Sequence, residues 1–401
     1  MTAKTVERPT ASTGRVVPLL ASTAISVTGD GAFIAAAPLL AAALTRNPAA
    51  VSTVTAGFYV PWLVFGLPAG ALVDRWPLRA VMVIADLVRG CLLIGLVVAI
   101  VLGLVSVPLL VAAVVCVGVA QCFFDPAAQA CIPAIVGRGK AALAHVNGRF
   151  WALDTVGRGL AGPPLGSVLF AVNRALPFAA DAASFFVSAA LVRQLPRLPP
   201  ADGPRDKIRT AIGSGLRHLF RTPDLRILAF SMGGYNFAFN ASMAIFVLYA
   251  REVLAVPAAG YGILLAVGAL GGVAAGWQAR ALTRHLSYRQ TMSVACAAQA
   301  AAWTGIAITA NVWVAGLLLA VSGAGASLSS VAVGSARQSL TPDGLLGRVV
   351  SAFRLFGLGA AGVGALAGGA IATLYGLTAA LILSASVLAV AATLTWPYRQ
   401  H

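Results

Sequence analysis

About a dozen apolar runs follow one another from Val16 to Trp396, each near the 20 residues that a helix needs to cross a bilayer. Hydrocarbon offers no partner to a free N–H or C=O, so spanning segments must be helices or strands of a closed barrel. The runs are long and continuous, whereas barrel strands alternate over about ten residues. The expected fold class is therefore an all-α membrane protein. The chain is 59% hydrophobic and 10% charged over 401 residues, against about 25% charged in a soluble domain.

The predicted spans are Val16–Leu44, Val51–Val73, Arg79–Leu104, Val107–Ile132, Asn147–Val172 and Leu176–Leu195, then Leu225–Ala250, Ala258–Leu282, Gln290–Ala310, Val312–Leu340, Leu346–Leu374 and Leu377–Trp396. They make twelve transmembrane helices in two groups of six. Residues 1–195 form an amino-terminal bundle, 196–224 a cytoplasmic linker and 225–401 a carboxy-terminal bundle. In the linker, Ile208, Ile212, Leu216, Leu219 and Phe220 recur at helical spacing among Lys207, Arg209, Arg217 and Arg221. That pattern predicts a basic amphipathic helix on the anionic leaflet, or else a solvated connection.

The net charge of +16 sits mainly in alternate loops. One set holds Lys4, Arg8 and Arg15, Arg75 and Arg79, Arg138, Lys140 and Arg149, the run from Arg193 to Arg226, Arg280, Arg284 and Arg289, Arg337 and Arg348, and Arg399. The other holds only Arg46, Arg174 and Arg251. The positive-inside rule then places both termini in the cytoplasm of a multi-pass inner-membrane protein, and no nucleic-acid partner is expected. The first apolar run is too long for a signal-peptide core and contains Asp30, so it is expected to be retained. Cys91, Cys116, Cys122, Cys131 and Cys296 fall in apolar runs without a C-x-x-C pair, which predicts core thiols and no metal.

The two groups repeat. Gly66-x-x-x-Gly70 returns as Gly272-x-x-x-Gly276, and Gln129-x-x-x-Pro133 as Gln338-x-x-x-Pro342, each followed by Gly-Arg, at Gly137-Arg138 and Gly347-Arg348. Two parallel six-helix repeats are the arrangement of a rocking transporter with its site between the halves.

Gly70, Leu72, Asp74, Arg75 and Arg79 resemble the loop signature of the major facilitator superfamily, with Pro77 and Leu78 where that family has Gly and Arg. Asp74-Arg75 with Ala85 to Arg89, Phe124-Asp125-Pro126-Ala127, Gly162-Pro163-Pro164-Leu165-Gly166 and Gln338 to Arg348 is similar to its drug-and-siderophore exporter branch, the drug:proton antiporter-3 type, which includes macrolide exporters. The resemblance implies a cytoplasmic gate. Asp74 would face the start of the eleventh span near Gly347 and Arg348, favoured by the helix dipole, and Arg75 would pair with Asp125. Gly162, Pro163 and Gly166 are similar to the antiporter signature of the fifth span, with Ser167 and Arg158 departing from it.

Asp30, in Thr28-Gly29-Asp30-Gly31, falls near mid-membrane, where an ionised Asp costs about 2.5–3.5 kcal/mol even on the lenient insertion scale. It must bind a proton or cation, pair with a polar group or touch substrate. Asp154 and Arg158 are four apart and share a helix face. Asp86 and Arg89, three apart, read equally as a structural or a functional pair. Asp181 reads as a partly hydrated acid. The carboxy-terminal spans carry no deep acid; Tyr235, Asn236, Phe239, Asn240, Gln299 and Trp303, with Phe58 and Trp62 of the second span, are candidates for a substrate cavity or ordinary packing residues. The glycines from Gly357 to Gly369 read as helix contacts rather than a dinucleotide loop, since no strand precedes them.

The expectation is a monomeric secondary transporter, not an enzyme, exporting amphipathic small molecules such as drugs or natural products by proton antiport. The proton gradient takes the place of a cofactor, with Asp30, Asp154 and Arg158 as coupling residues. The alternatives are a dedicated siderophore or natural-product exporter, and a non-transporting membrane scaffold.

Overall fold

A computed structural model describes residues 13–73, 75–136, 139–196, 216–342 and 345–396. Every regular element among them is helical. The amino-terminal helices are α1 (Thr13–Leu44), α2 (Pro48–Gly57), α3 (Val60–Val73), α4 (Leu78–Val101), α5 (Val107–Val136), α6 (Lys140–Asp154), a π-helical turn (Thr155–Ala161), α7 (Gly162–Val172) and α8 (Leu176–Val192). A short helix α9 covers 216–221. Then come α10 (Pro223–Glu252), α11 (Ala258–Trp277), α12 (Ala279–Thr283), α13 (Tyr288–Ile308), α14 (Val312–Leu340), α15 (Leu346–Tyr375) and α16 (Leu377–Thr395). Among the described residues nine helices are long and apolar enough to cross a membrane. Apolar side chains such as Val98, Leu317, Val363 and Val390 face outward, as expected of a multi-span membrane protein.

Three predicted spans are broken: the eighth at Gln278, between α11 and α12, and two others where a proline explains the break. Pro61 has no N–H to give the Gly57 carbonyl, and its ring crowds that carbonyl. The chain therefore leaves the helix at Phe58–Tyr59, where Phe58 and Tyr59 donate instead to Thr55 and Ala56, three residues back. Pro163 does the same to Gly159. The helix widens over residues 155–161, and the Gly162 N–H donates to the Gly157 carbonyl five residues back, the signature of a π-bulge. The fifth predicted span also starts earlier, at Lys140, so His145 lies in a helix.

Helix α1 packs on α7 and α8, α4 on α5 and α8, and α3 on α5; in the second set α10 packs on α15 and α16, α13 on α14 and α16, and α11 on α14. The sets meet where α2 touches α10 and α15, and where α7 and the π-turn touch α11. Close approach needs glycine within a set and between the two: a β-carbon at Gly166 would collide with the Ala32 carbonyl of α1, and one at Gly262 with the Pro163 carbonyl of α7.

Two smaller expectations change, and a third lies mostly outside the described residues. Cys122, Cys131 and Cys296 are buried, but Cys91 and Cys116 are exposed, because the outer surface of a membrane helix is as apolar as its core. Asp181 is dry rather than partly hydrated: it is fully buried against Gly29 of α1 and takes a hydrogen bond from Ser184 at 3.1 Å. The amphipathic helix predicted in the linker lies mostly outside the described residues; within α9, Leu219 is buried and Phe220 packs against Phe230 and Phe356.

Candidate functional site

A cavity of about 1370 Å³ lies between the amino- and carboxy-terminal helices, walled by α1, α2, α3, α5, α6, the π-turn and α7 on one side and by α10, α11, α14 and α15 on the other. Its wall is mostly aromatic and aliphatic, including Phe33, Phe58, Tyr59, Trp62, Trp151, Phe239, Tyr261 and Trp277.

The cavity opens toward the end of the bundle that carries the chain termini, where Trp151 and Trp277 are exposed. The opposite end is closed by contacts across the two sets of helices. The Ala49 N–H donates to Thr373 Oγ1 at 3.0 Å, Arg251 donates to the Ala42 carbonyl at 3.3 Å, and Ser52 lies against Gly369. Deeper in, Tyr59, at the α2–α3 break, donates its hydroxyl to Asn240 Oδ1 at 2.6 Å.

One polar cluster interrupts the apolar wall. The Arg158 guanidinium lies 2.9 Å from Asp30 Oδ2 and 3.2 Å from Asp154 Oδ1. All three line the cavity, and Asp30 is buried. The π-bulge supplies the geometry: α6 presents Asp154 immediately before it, and Arg158 lies within it. The Arg158–Asp30 contact is off hydrogen-bond alignment, so Asp30 Oδ2 has no aligned donor. Two carboxylates share one guanidinium. Fully ionised, the cluster carries one net negative charge; with one added proton it is neutral.

A second cluster lies behind the wall. Asp86 and Arg89 are both fully buried and ion-paired. Arg89 also donates to Gln121 Oε1, and Ser188 donates to Asp86 Oδ2 at 2.7 Å. Gln121 donates to Asp125 Oδ1 at 2.5 Å.

Of the cavity candidates named from sequence, Phe58, Trp62, Phe239 and Asn240 line the cavity, while Tyr235, Asn236, Gln299 and Trp303 do not. Asn236 donates to the Met232 carbonyl of its own helix and lies beside Gly357. Gln299 and Trp303 are fully buried within the carboxy-terminal helices. Sequence reasoning missed Gln121, Trp151 and Tyr261. Gln121 is a polar residue within an apolar span, and that was its only signal.

The gate is only partly among the described residues. Asp74 lies outside the described residues. Gly70 has nothing within 4 Å of a β-carbon, Arg75 is exposed, and Arg79 donates to the carbonyls of Arg193 at 3.4 Å and Leu195 at 3.0 Å, beyond the end of α8. Among the described residues no ion pair joins Arg75 to Asp125. Gly347 and Arg348 open α15. Gly162 packs on Gly31 and Thr28 of α1, so the Gly162, Pro163 and Gly166 motif seats the π-bulge against Asp30.

Among the described residues no group of three or more His, Cys, Asp or Glu could hold a metal ion.

The family model described as transmembrane secretion effector matches residues 16–400. The multidrug efflux pump Tap of Mycolicibacterium fortuitum is 27% identical over 365 residues, covering 88% of each chain. The uncharacterised MFS-type transporter Rv0037c of Mycobacterium tuberculosis is 28% identical over 355 residues, covering 80% of this chain and 76% of that one. Among solved structures, the nucleoside transporter NupG superposes with a TM-score of 0.75 at 13% identity, over 96% of this chain and 100% of that one. A bacterial homologue of the human lysosomal transporter Spinster, inward-facing and unoccupied, gives 0.75 at 14% identity over 96% of each. These likenesses are of fold.

Proposed function

Because the chain belongs to the transmembrane secretion effector family of the major facilitator superfamily, and so is a secondary-active transporter rather than an enzyme, we propose that it exports amphipathic small molecules, drugs or natural products, by proton antiport. The observation that carries this reading is the cluster of Asp30, Arg158 and Asp154 on the wall of a large aromatic cavity. An unprotonated cluster has one charge in excess and attracts a cationic group, which the surrounding aromatic faces also favour. A proton neutralises the cluster and removes that attraction. Substrate and proton therefore compete for one charge, which is the requirement for exchange.

In this reading the chain spans the inner membrane twelve times as two six-helix bundles, 1–195 and 225–401, joined by 196–224. Both termini are cytoplasmic, the open end faces the cytosol, and the monomer is the working unit. Asp74, Arg75, Asp125, Gly347 and Arg348 come together when the cytosolic end closes. The efflux-pump relative supports export of many substrates; a dedicated siderophore or natural-product exporter is the alternative, and a narrow transport profile would favour it.

The test is tetraphenylphosphonium uptake into proteoliposomes under an imposed pH gradient. Wild-type uptake should accelerate with the gradient, and Asp30→Asn should lose that acceleration, because an amide takes up no proton. Undiminished acceleration in Asp30→Asn removes the residue from coupling.

A further inference from the structure

A second, smaller chamber of about 40 Å³ lies beside the main cavity. Two facing polar stripes run through its wall, beside Val27, Phe124, Phe150 and Trp151. Thr23, Ser26 and Asp30 are spaced by three and four along α1, and Gln121, Asp125 and Gln129 by four along α5, so each trio occupies one helix face. The helices run in opposite directions: the start of α1 (Val16, Leu19) packs with the end of α5 (Cys131, Ile132), and the end of α1 (Leu39, Leu40) with the start of α5 (Leu110, Val114). Gln129 therefore lies toward the Thr23 end of the chamber and Gln121 toward the Asp30 end. Seven residues of helix rise about 10 Å, so the stripes run from Gln129, which is exposed, to the cavity cluster. Asp154 and Arg158 line the same chamber.

The chamber has room and partners for water, which needs roughly 10–15 Å³ of such volume and two to four polar neighbours. Asp30 Oδ2 is buried without an aligned donor. Among the described residues Asp125 accepts only from Gln121. The charged groups around Asp125 are Asp86 and Arg89 on α4, committed to each other, and Asp30, Asp154 and Arg158 across the chamber.

We propose that this chamber is a hydrated proton-release site, through which the coupling proton leaves Asp30 for the terminal end of the bundle by way of Asp125. The proposal rests on the proton-antiport reading above and extends it. The transfer balances simply: protonated Asp30 gives its proton to a chamber water as that water passes one of its own to the Asp125 carboxylate, and Asp125 discharges to solvent at Gln129. Asp125 does not line the main cavity, so the proton can leave by one route while substrate enters by another. That separates the two ligands in space while Asp30 joins them in charge.

The test compares wild type, Asp30→Asn, Asp125→Asn and Ser26→Val in proteoliposomes with tetraphenylphosphonium. Two rates are read: uptake driven by a pH gradient, and exchange of labelled against unlabelled tetraphenylphosphonium without a gradient. Asp125→Asn, which also alters the gate, should lose the gradient-driven component. Ser26→Val, which narrows the chamber and alters neither acid, should slow gradient-driven uptake and keep exchange. It carries the test alone if Asp125→Asn does not fold. Gradient-driven uptake equal to wild type in the folded variants overturns the chamber, as does an equal loss of both rates in Ser26→Val. If wild type itself ignores the gradient, the antiport reading fails and this proposal falls with it. If only Asp30→Asn loses the response, the antiport reading stands and the chamber alone is rejected.

Discussion

Arg89→Leu is expected to destabilise the protein by about 3–5 kcal/mol, the range for removing one partner of a buried ion pair. Arg89 and Asp86 are both fully buried. The guanidinium pairs with Asp86, donates to Gln121 and lies over the rings of Phe124 at 4.5 Å and Phe185 at 4.1 Å. Leucine replaces the stem and leaves Asp86 with the Ser188 hydroxyl alone. The double variant Asp86→Leu/Arg89→Leu should recover most of the loss, because a buried pair replaced on both sides by apolar groups is often neutral. Unfolding midpoints in detergent micelles check both. A loss under about 1 kcal/mol for the single variant, or a double variant no more stable than the single, would show that the pair is not the internal strut of the amino-terminal helices that its burial implies.

That pair marks where the sequence stops being informative. The i, i+3 spacing of Asp86 and Arg89 shows that they can meet, but not that Gln121 and Asp125 continue the chain of contacts from another helix. The spans themselves were legible because hydrocarbon forces a length and an apolar composition on every crossing segment. Deep acids were legible for the opposite reason, since each is costly there. Asp154 and Arg158 could be paired from spacing alone. That Asp30 shares the same guanidinium follows from the bulge before Pro163, whose consequence depends on where α1 lies. The cavity wall was only half legible. A membrane helix is apolar toward lipid and toward its neighbours alike, so nothing in α10 distinguishes Phe239, on the cavity, from Tyr235, which is buried away from it.

Gly262→Val is expected to force apart the end of the bundle that is closed in this structure. Gly262 of α11 lies against the Pro163 carbonyl and the Ser167 hydroxyl of α7, with no room for a β-carbon. This seam belongs to the closed end, together with the contacts of Ala49 with Thr373 and of Arg251 with Ala42. A rocking transporter must part that seam when its other end closes. Overpacking typically costs about 1–3 kcal/mol, here paid only while α7 and α11 touch. At about 1.4 kcal/mol per tenfold, the wedge should shift the population toward the parted state by roughly five- to 150-fold. The readout is the separation of spin labels at the exposed positions Arg46→Cys and Tyr375→Cys, on a background in which Cys91, Cys116, Cys122, Cys131 and Cys296 are replaced. The distance should lengthen in Gly262→Val and lengthen less in Gly262→Ala, which adds only the first carbon. Gradient-driven uptake should fall with it, because a transporter held on one side cannot complete its cycle. A folded Gly262→Val protein with the wild-type distance would mean that the seam yields locally, and that opening at this end is not limited by the contact of α7 with α11.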